Sequence, residues 1–174
     1  MTAKLKHGIT KVKDPGSALT HFIAMILAII AAMPLLSKAG HDSGHMHISA
    51  LAVFILSMIG LYAASTIYHT LDISPKINKL LRKIDHMMIF ILIAGTYTPV
   101  CMIVLGDKTG WTMLTLVWGI AIVGILINAL WITCPKWFSS LIYIAMGWVC
   151  ILAITKILSS MPRAGFMWLL AGGI

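Results

Sequence analysis

Apolar runs of about twenty residues recur along the chain, and no other feature constrains its fold as tightly. A helix of that length rises far enough, at 1.5 Å per residue, to cross a hydrocarbon core about 30 Å thick. Composition removes the water-soluble alternative: 60% of the 174 residues are hydrophobic, 10% are charged and no Glu occurs. So few charges cannot cover a soluble domain of this size. The fold class is therefore all-α, a polytopic transmembrane helical bundle.

Spans are predicted over 17–37, 48–71, 84–105, 111–132 and 139–158, with a partial one over 164–174. Residues 1–16 form a basic N-terminus and 17–174 a single transmembrane domain. The connections 38–47, 72–83, 106–110, 133–138 and 159–163 carry the turn-forming residues, among them Gly40, Gly44, Pro75, Pro135 and Pro162. The last stretch covers only about 17 Å of a core about 30 Å thick, so a C-terminally truncated form is expected.

Lys and Arg are retained on the cytoplasmic side of a membrane. Lys4, Lys6, Lys11, Lys13, Lys76, Lys79, Arg82, Lys83 and Lys136 fall on one side, nine against the four of Lys38, Lys108, Lys156 and Arg163. A cytoplasmic N-terminus follows, in a cell (plasma) membrane protein. The formal charge of +8 is mostly this topological signal; it suits contact with membrane lipids and gives no support to nucleic acid as a partner. The apolar run from Ala18 to Leu36 exceeds the 7 to about 15 residues of a signal-peptide core, which favours a retained span.

With that topology, His21, Ser65, His69, Asp85, His86, Asn128 and Tyr143 all fall within about two turns of the cytoplasmic face. Ser65 and His69, four residues apart, share one helix face. Interfacial tolerance accounts for each polar residue singly: Asp85 reads equally as the first-turn acid of a helix, and His86 as an interface histidine. Taken together, Ser65, His69 and Asp85 read as functional, because ionisable groups within a span are costly and face the bundle interior.

The strings SALTHFIAMILAI (17–29), AASTIYHTL (63–71) and KIDHMMIFILIAGTYTP (83–99) resemble the hemolysin III family, the bacterial branch of the progesterone and adipoQ receptor superfamily. The resemblance implies a seven-helix membrane fold with zinc near the cytoplasmic side, held by a His of the second helix and two His of an H-x-x-x-H motif on the seventh. His69 matches the first ligand, Ser65 the serine of the same motif, and Asp85 the third-helix acid beside the metal-bound water. No seventh helix carrying H-x-x-x-H lies within the chain, and the sixth is incomplete; the remaining ligands are expected beyond Ile174. His21, His86, Asn128 and Tyr143 would flank the metal.

Catalytic zinc takes three protein ligands and one water, and a nearby carboxylate can take that water's proton. Asp85 and Ser65 are thus the catalytic candidates, as base and oxyanion donor, for hydrolysis of a lipid amide or ester as in the related ceramidases. A membrane-lipid-state receptor or regulator with structural zinc stays open. So does a channel-forming cytolysin, although no charged stripe runs through the spans to line a wide pore.

Other prominent residues read as structure. Cys101, Cys134 and Cys150 are odd in number and widely spaced, hence core thiols. Gly95, Thr96, Thr98 and Pro99 predict a kink in the third helix with hydroxyls on the freed carbonyls. Gly60 and Ala64 offer a small-residue surface for helix approach, and Trp111, Trp131 and Trp137 an aromatic belt. His41, His45 and His47 read as a solvated loop.

Overall fold

A computed structural model describes residues 12–42, 44–131 and 136–173. Its elements are α1 (Pro15–Asp42), α2 (His45–Thr70), α3 (Pro75–Pro99), a π-helical turn over Val100–Leu105, α4 (Lys108–Leu130), α5 (Lys136–Trp148), a 3-10 segment over Val149–Ala153, α6 (Ile154–Ser160) and α7 (Arg163–Gly173). Among the described residues, five stretches are long and apolar enough to cross a membrane: Pro15–Gly40, His45–Thr70, Pro75–Leu105, Lys108–Leu130 and Trp137–Ser160. The expectations for Lys4, Lys6, Lys11 and Cys134 fall outside the described residues.

The helices outlast the apolar runs. α1 continues past Lys38 and Gly40 to Asp42, and α2 starts at His45, so the expected connection over 38–47 contracts to the turn at Gly44, whose φ of 78° lies in the left-handed region. His45 and His47 consequently occupy the first turn of α2 and not a loop. The connection expected over 72–83 contracts likewise. Ser74 caps α3, its hydroxyl accepting from the Ile77 N–H at 3.3 Å, and Pro75 follows at the first helical position, where a missing N–H does no harm. Lys76, Lys79, Arg82 and Lys83 thus ride on the opening turns of α3. Crossing the lipid border does not end a helix; capping chemistry does. Asp85 then lies nearly three turns into α3, whose first turn holds no acid, and its reading as a first-turn acid is withdrawn.

α3 is the central element, packed against α2, α4 and α5, while α1 packs against α2. Lipid tails give apolar side chains no reason to leave them, so helices associate where small residues allow close approach. At Gly124 of α4 the fully buried Phe90 ring of α3 occupies the space a Cβ would need, and at Gly95 of α3 the Ser57 side chain of α2 does the same. Gly60 faces the tip of Met88 in the same way. Phe90, Ala94, Tyr97, Cys101, Val117, Ala121 and Met146 form the buried core around this seam. Cys101 and Cys150 are free thiols, Cys101 within the core.

Polar side chains line two changes of helical geometry, and at the first the Thr hydroxyls bond carbonyls other than that of Gly95, the one whose N–H partner Pro99 removes. α3 runs through Pro99 before passing into the π turn; Thr98 Oγ1 donates to the Ala94 carbonyl at 2.9 Å and accepts from Trp118 Nε1 at 3.2 Å, while Thr96 Oγ1 donates to Ile93 at 2.7 Å. In the fifth span the change to 3-10 geometry at Val149 is filled from α3. The Tyr97 hydroxyl shares its proton between the carbonyls of Met146 and Gly147, each at 2.9 Å, and accepts from the Cys150 N–H at 2.9 Å.

At the end where α3 hands over to α4, Asp107 caps α4 by accepting from the N–H groups of Thr109 at 3.0 Å and Gly110 at 3.1 Å. Lys156, near the end of the fifth span, pairs with the same carboxylate and also donates to Thr109 Oγ1 at 2.8 Å. The Lys156 hydrogen bond, followed by the Gly110 N–H, holds the Asp107 carboxyl below the usual carboxylate range.

Two outcomes follow from this packing. Gly124→Ala should destabilise the bundle by about 1–3 kcal/mol, because a Cβ meets the Phe90 ring, and a melting curve in detergent unchanged from wild type would contradict the close seam. The folded-state pKa of Asp107 is lowered, so its contribution is fully present above the ordinary value of 3.8 and fades as pH falls below it. Wild type should therefore melt above Asp107→Asn near neutral pH, with the gap closing as the medium is acidified through that range; a constant gap would show that the carboxylate charge is not involved.

Candidate functional site

The C-terminal turn of α2 presents Ser65 and His69 one turn apart, with Ser65 buried at 4% exposure. The chain entering α1 lies beside this turn. The Asp14 N–H donates to the His69 carbonyl at 2.9 Å and the Lys13 N–H to that of Thr70 at 3.4 Å, while the Asp14 carbonyl accepts the Ala18 N–H at 2.9 Å and so opens α1. Lys13 Nζ sits 3.5 Å from the centroid of the Tyr68 ring, a cation–π contact that reinforces the attachment. The clamp delivers a carboxylate: Asp14 Oδ2 lies 3.0 Å from His69 Nδ1. His21 of α1 also stacks on the His69 ring, centroids 5.8 Å apart and planes 9° from parallel, and lies 5.9 Å from the Tyr62 ring.

A second polar group forms where α3, α4 and α5 meet. Tyr143 donates to the His86 carbonyl at 2.8 Å and packs its ring against Phe90 at 4.5 Å. Ser139 donates to Asn128 Oδ1 at 3.1 Å, Asn128 Nδ2 donates to the Gly124 carbonyl at 3.1 Å, and Lys83 Nζ reaches the Ala129 carbonyl at 3.0 Å. These bonds tie helix ends together, α4 to α5 through Asn128 and α3 to α5 through Tyr143. Asp85 is half-buried on α3, with no side-chain hydrogen bond or ion pair among the described residues.

The expected layer is thus assembled in two groups. His21 and His69 are brought together, with Ser65 buried a turn from His69; His86, Asn128 and Tyr143 are joined through α3, α4 and α5. Asp14, Lys83 and Ser139 complete these contacts and were not singled out from the sequence as site residues. For Asp14 a signal existed, since Asp-Pro ahead of an apolar run marks a helix start and places an acid at the same border as His69. Nothing local in Ser139 announces its bond to Asn128.

Among the described residues, no group of three or more His, Cys, Asp or Glu is placed to hold a metal ion. Two shallow grooves, about 420 Å³ along Val123, Leu126, Ile127, Leu130 and Trp131 and about 490 Å³ along Lys108, Trp111, Thr112, Thr115 and Leu116, are each one open face of α4 and present lipid-contact surface, not an enclosed site.

Five apolar crossing helices with polar side chains gathered at their ends define a multi-pass helical membrane protein. The match to the Haemolysin-III related family covers residues 9–174, and the chain belongs to that family. It is 39% identical over 175 residues to Hemolysin-3 of Bacillus cereus, covering 100% of this chain and 80% of that protein. It is 35% identical over 162 residues to a Hemolysin-3 homolog of Bacillus subtilis (strain 168), covering 93% of this chain and 76% of that protein.

Tyr143→Phe removes one hydroxyl and leaves the ring contact with Phe90. The expected loss is about 0.5–1.5 kcal/mol in reversible denaturation from micelles; a variant as stable as wild type would mean that the His86 carbonyl finds an equal partner elsewhere.

Proposed function

We propose that this protein holds a zinc ion at the cytoplasmic border of the cell membrane, with a cytoplasmic N-terminus, and hydrolyses an amide or ester bond of a membrane lipid. The observation that carries the reading is the pairing of His69 with a buried Ser65 one turn away on α2, together with a half-buried Asp85 on α3 that no side chain among the described residues engages. The nine-to-four excess of basic residues supports the orientation.

The donor set suits zinc in part. A neutral imidazole is a preferred zinc ligand, and the His69 ring has one nitrogen engaged by a carboxylate, the usual environment of a metal-bound histidine. His69 is a single ligand, and in this reading two further His complete the site from outside the described residues. Bound zinc supplies a Lewis acid and brings the pKa of water toward about 7. Asp85 takes the proton of the attacking water and returns it to the departing amine or alcohol. Ser65 donates a hydrogen bond to the acyl oxygen as negative charge builds there. Water oxygen bonds to the acyl carbon, the C–N or C–O bond breaks, and a fatty acid leaves with the amine or alcohol.

The name of the relatives, Hemolysin-3, favours a second reading in which the protein acts on membranes as a channel-forming cytolysin. A receptor or regulator of membrane lipid state with structural zinc shares the metal and lacks the reaction.

The readings separate by experiment. Elemental analysis of the full-length protein should find about one zinc per chain in wild type and none in His69→Ala; zinc retained in that variant removes the site. Asp85→Asn should keep zinc and lose hydrolysis of a lipid amide or ester by about a hundredfold or more, the scale of a lost general base. Equal turnover transfers the site to a structural or regulatory role, and liposome leakage that persists in both variants favours lysis independent of it.

A further inference from the structure

We propose that the opening turns of α3 are a binding surface for the headgroups of anionic phospholipids, with Lys76, Lys79 and Lys83 taking the phosphate, whatever reaction the protein carries out.

The helical stretch Pro75–Leu105 is 31 residues long. At 1.5 Å per residue that is about 46 Å, against a hydrocarbon core about 30 Å thick, an excess of about eleven residues. The excess falls at the Pro75 end, because positions 86–105 hold no Asp, Glu, Lys or Arg, while Lys76, Lys79, Arg82, Lys83 and Asp85 all lie within 75–85. The basic residues therefore stand at headgroup depth on rigid helix continuous with the span, and not on the loop expected from composition.

Positions 76, 79 and 83 are three and four residues apart, so the lysines line one face at intervals of one turn. Lys76 and Lys79 are exposed. Lys83 is half-buried, and its Nζ donates to the Ala129 carbonyl at 3.0 Å, which fixes the ammonium at the end of α4. An ammonium has three donors, so two are left for a phosphate. Four basic residues face two acids over 72–85, and Asp72 already accepts from Asn78 Nδ2 at 2.6 Å. The ion pairs among the described residues join His69 to Asp14 and Lys156 to Asp107, and none involves the basic side chains of α3. Uncompensated cations at this depth attract anionic headgroups, whose phosphate oxygens are the complementary acceptors.

The surface suits a lipid more than a free anion. Ile77, Leu80 and Ile84 repeat the lysine spacing on the adjoining face and are 39%, 55% and 37% exposed. Apolar side chains beside basic ones at headgroup depth are the pattern by which a helix meets the boundary between headgroups and acyl chains. A free phosphate gains nothing from them.

The full-chain protein in uncharged detergent micelles is titrated with phosphatidylglycerol and, separately, with phosphatidylcholine of the same acyl chains, and bound lipid is counted by native mass spectrometry. Wild type should prefer phosphatidylglycerol. Each lysine near an anionic surface strengthens attachment about fivefold, so the preference should fall about twentyfold in Lys76→Gln/Lys79→Gln. It should be kept in Lys76→Arg/Lys79→Arg and in Lys38→Gln/Lys108→Gln, which loses the same charge elsewhere. In wild type it should also shrink as salt rises from about 0.05 to about 0.5 M, a measurement that needs no variant. A preference untouched by salt or by Lys76→Gln/Lys79→Gln overturns the proposal, as does an equal loss in Lys38→Gln/Lys108→Gln, which would reduce the effect to net charge. Inorganic phosphate that displaces phosphatidylglycerol at equal concentration overturns the lipid assignment in favour of a free-anion site.

Discussion

In a hydrocarbon core no water is available to a backbone amide, and every other feature of this bundle is arranged around that constraint. Where the helical ladder is regular the chain needs no help, and the spans are almost wholly apolar. Where it is interrupted, at the π turn after Pro99 and at the 3-10 segment after Trp148, the polar side chains Thr98 and Tyr97 lie beside the break. The Tyr97 hydroxyl serves three backbone groups of the fifth span from a position on α3. A local defect in one helix thereby becomes a specific joint between two. That joint sets the height of α5 against α3, which in turn brings Tyr143 to the His86 carbonyl and Ser139 to Asn128.

The two ends of the bundle use charge differently. At one end Asp107 both caps α4 and pairs with Lys156, so a single carboxylate joins the α3–α4 connection to the fifth span. Both partners are held by additional bonds, and the cluster is complete. At the other end Asp14 meets the His69 imidazole, and Asp85 stands on α3 without a side-chain partner among the described residues. Charge is consumed by structure at the first end and kept for chemistry at the second, in the reading proposed.

The spans and the all-α class were legible because a run of about twenty apolar residues has one physical use. Helix ends were less so. Gly40 and the basic residues after Pro75 look like loop by composition, yet helix continues through them, because long basic side chains tolerate the border, and the described breaks fall at Gly44 and at the Ser74–Pro75 cap. The Ser65 and His69 spacing was readable as a shared face, since helical periodicity fixes it. The Asp14 contact was not, because it joins residues 55 apart through backbone bonds between a helix entry and a helix end. Tyr97 is hidden differently: it sits among Gly95, Thr96, Thr98 and Pro99, whose helix-breaking character points to α3 itself, while its partners Met146, Gly147 and Cys150 lie on the fifth span.

Stability alone gives Asp14 little to do. A carboxylate half open to solvent contributes about 0–1 kcal/mol through an ion pair, and the backbone bonds of Lys13 and Asp14 to the end of α2 would form with any side chain at position 14. Opening α1 does not demand an acid either, since the Ala18 N–H bonds to the Asp14 carbonyl and Pro15 supplies the preformed first turn. What a carboxylate adds at this position is direction: an acceptor aimed at one of two ring nitrogens.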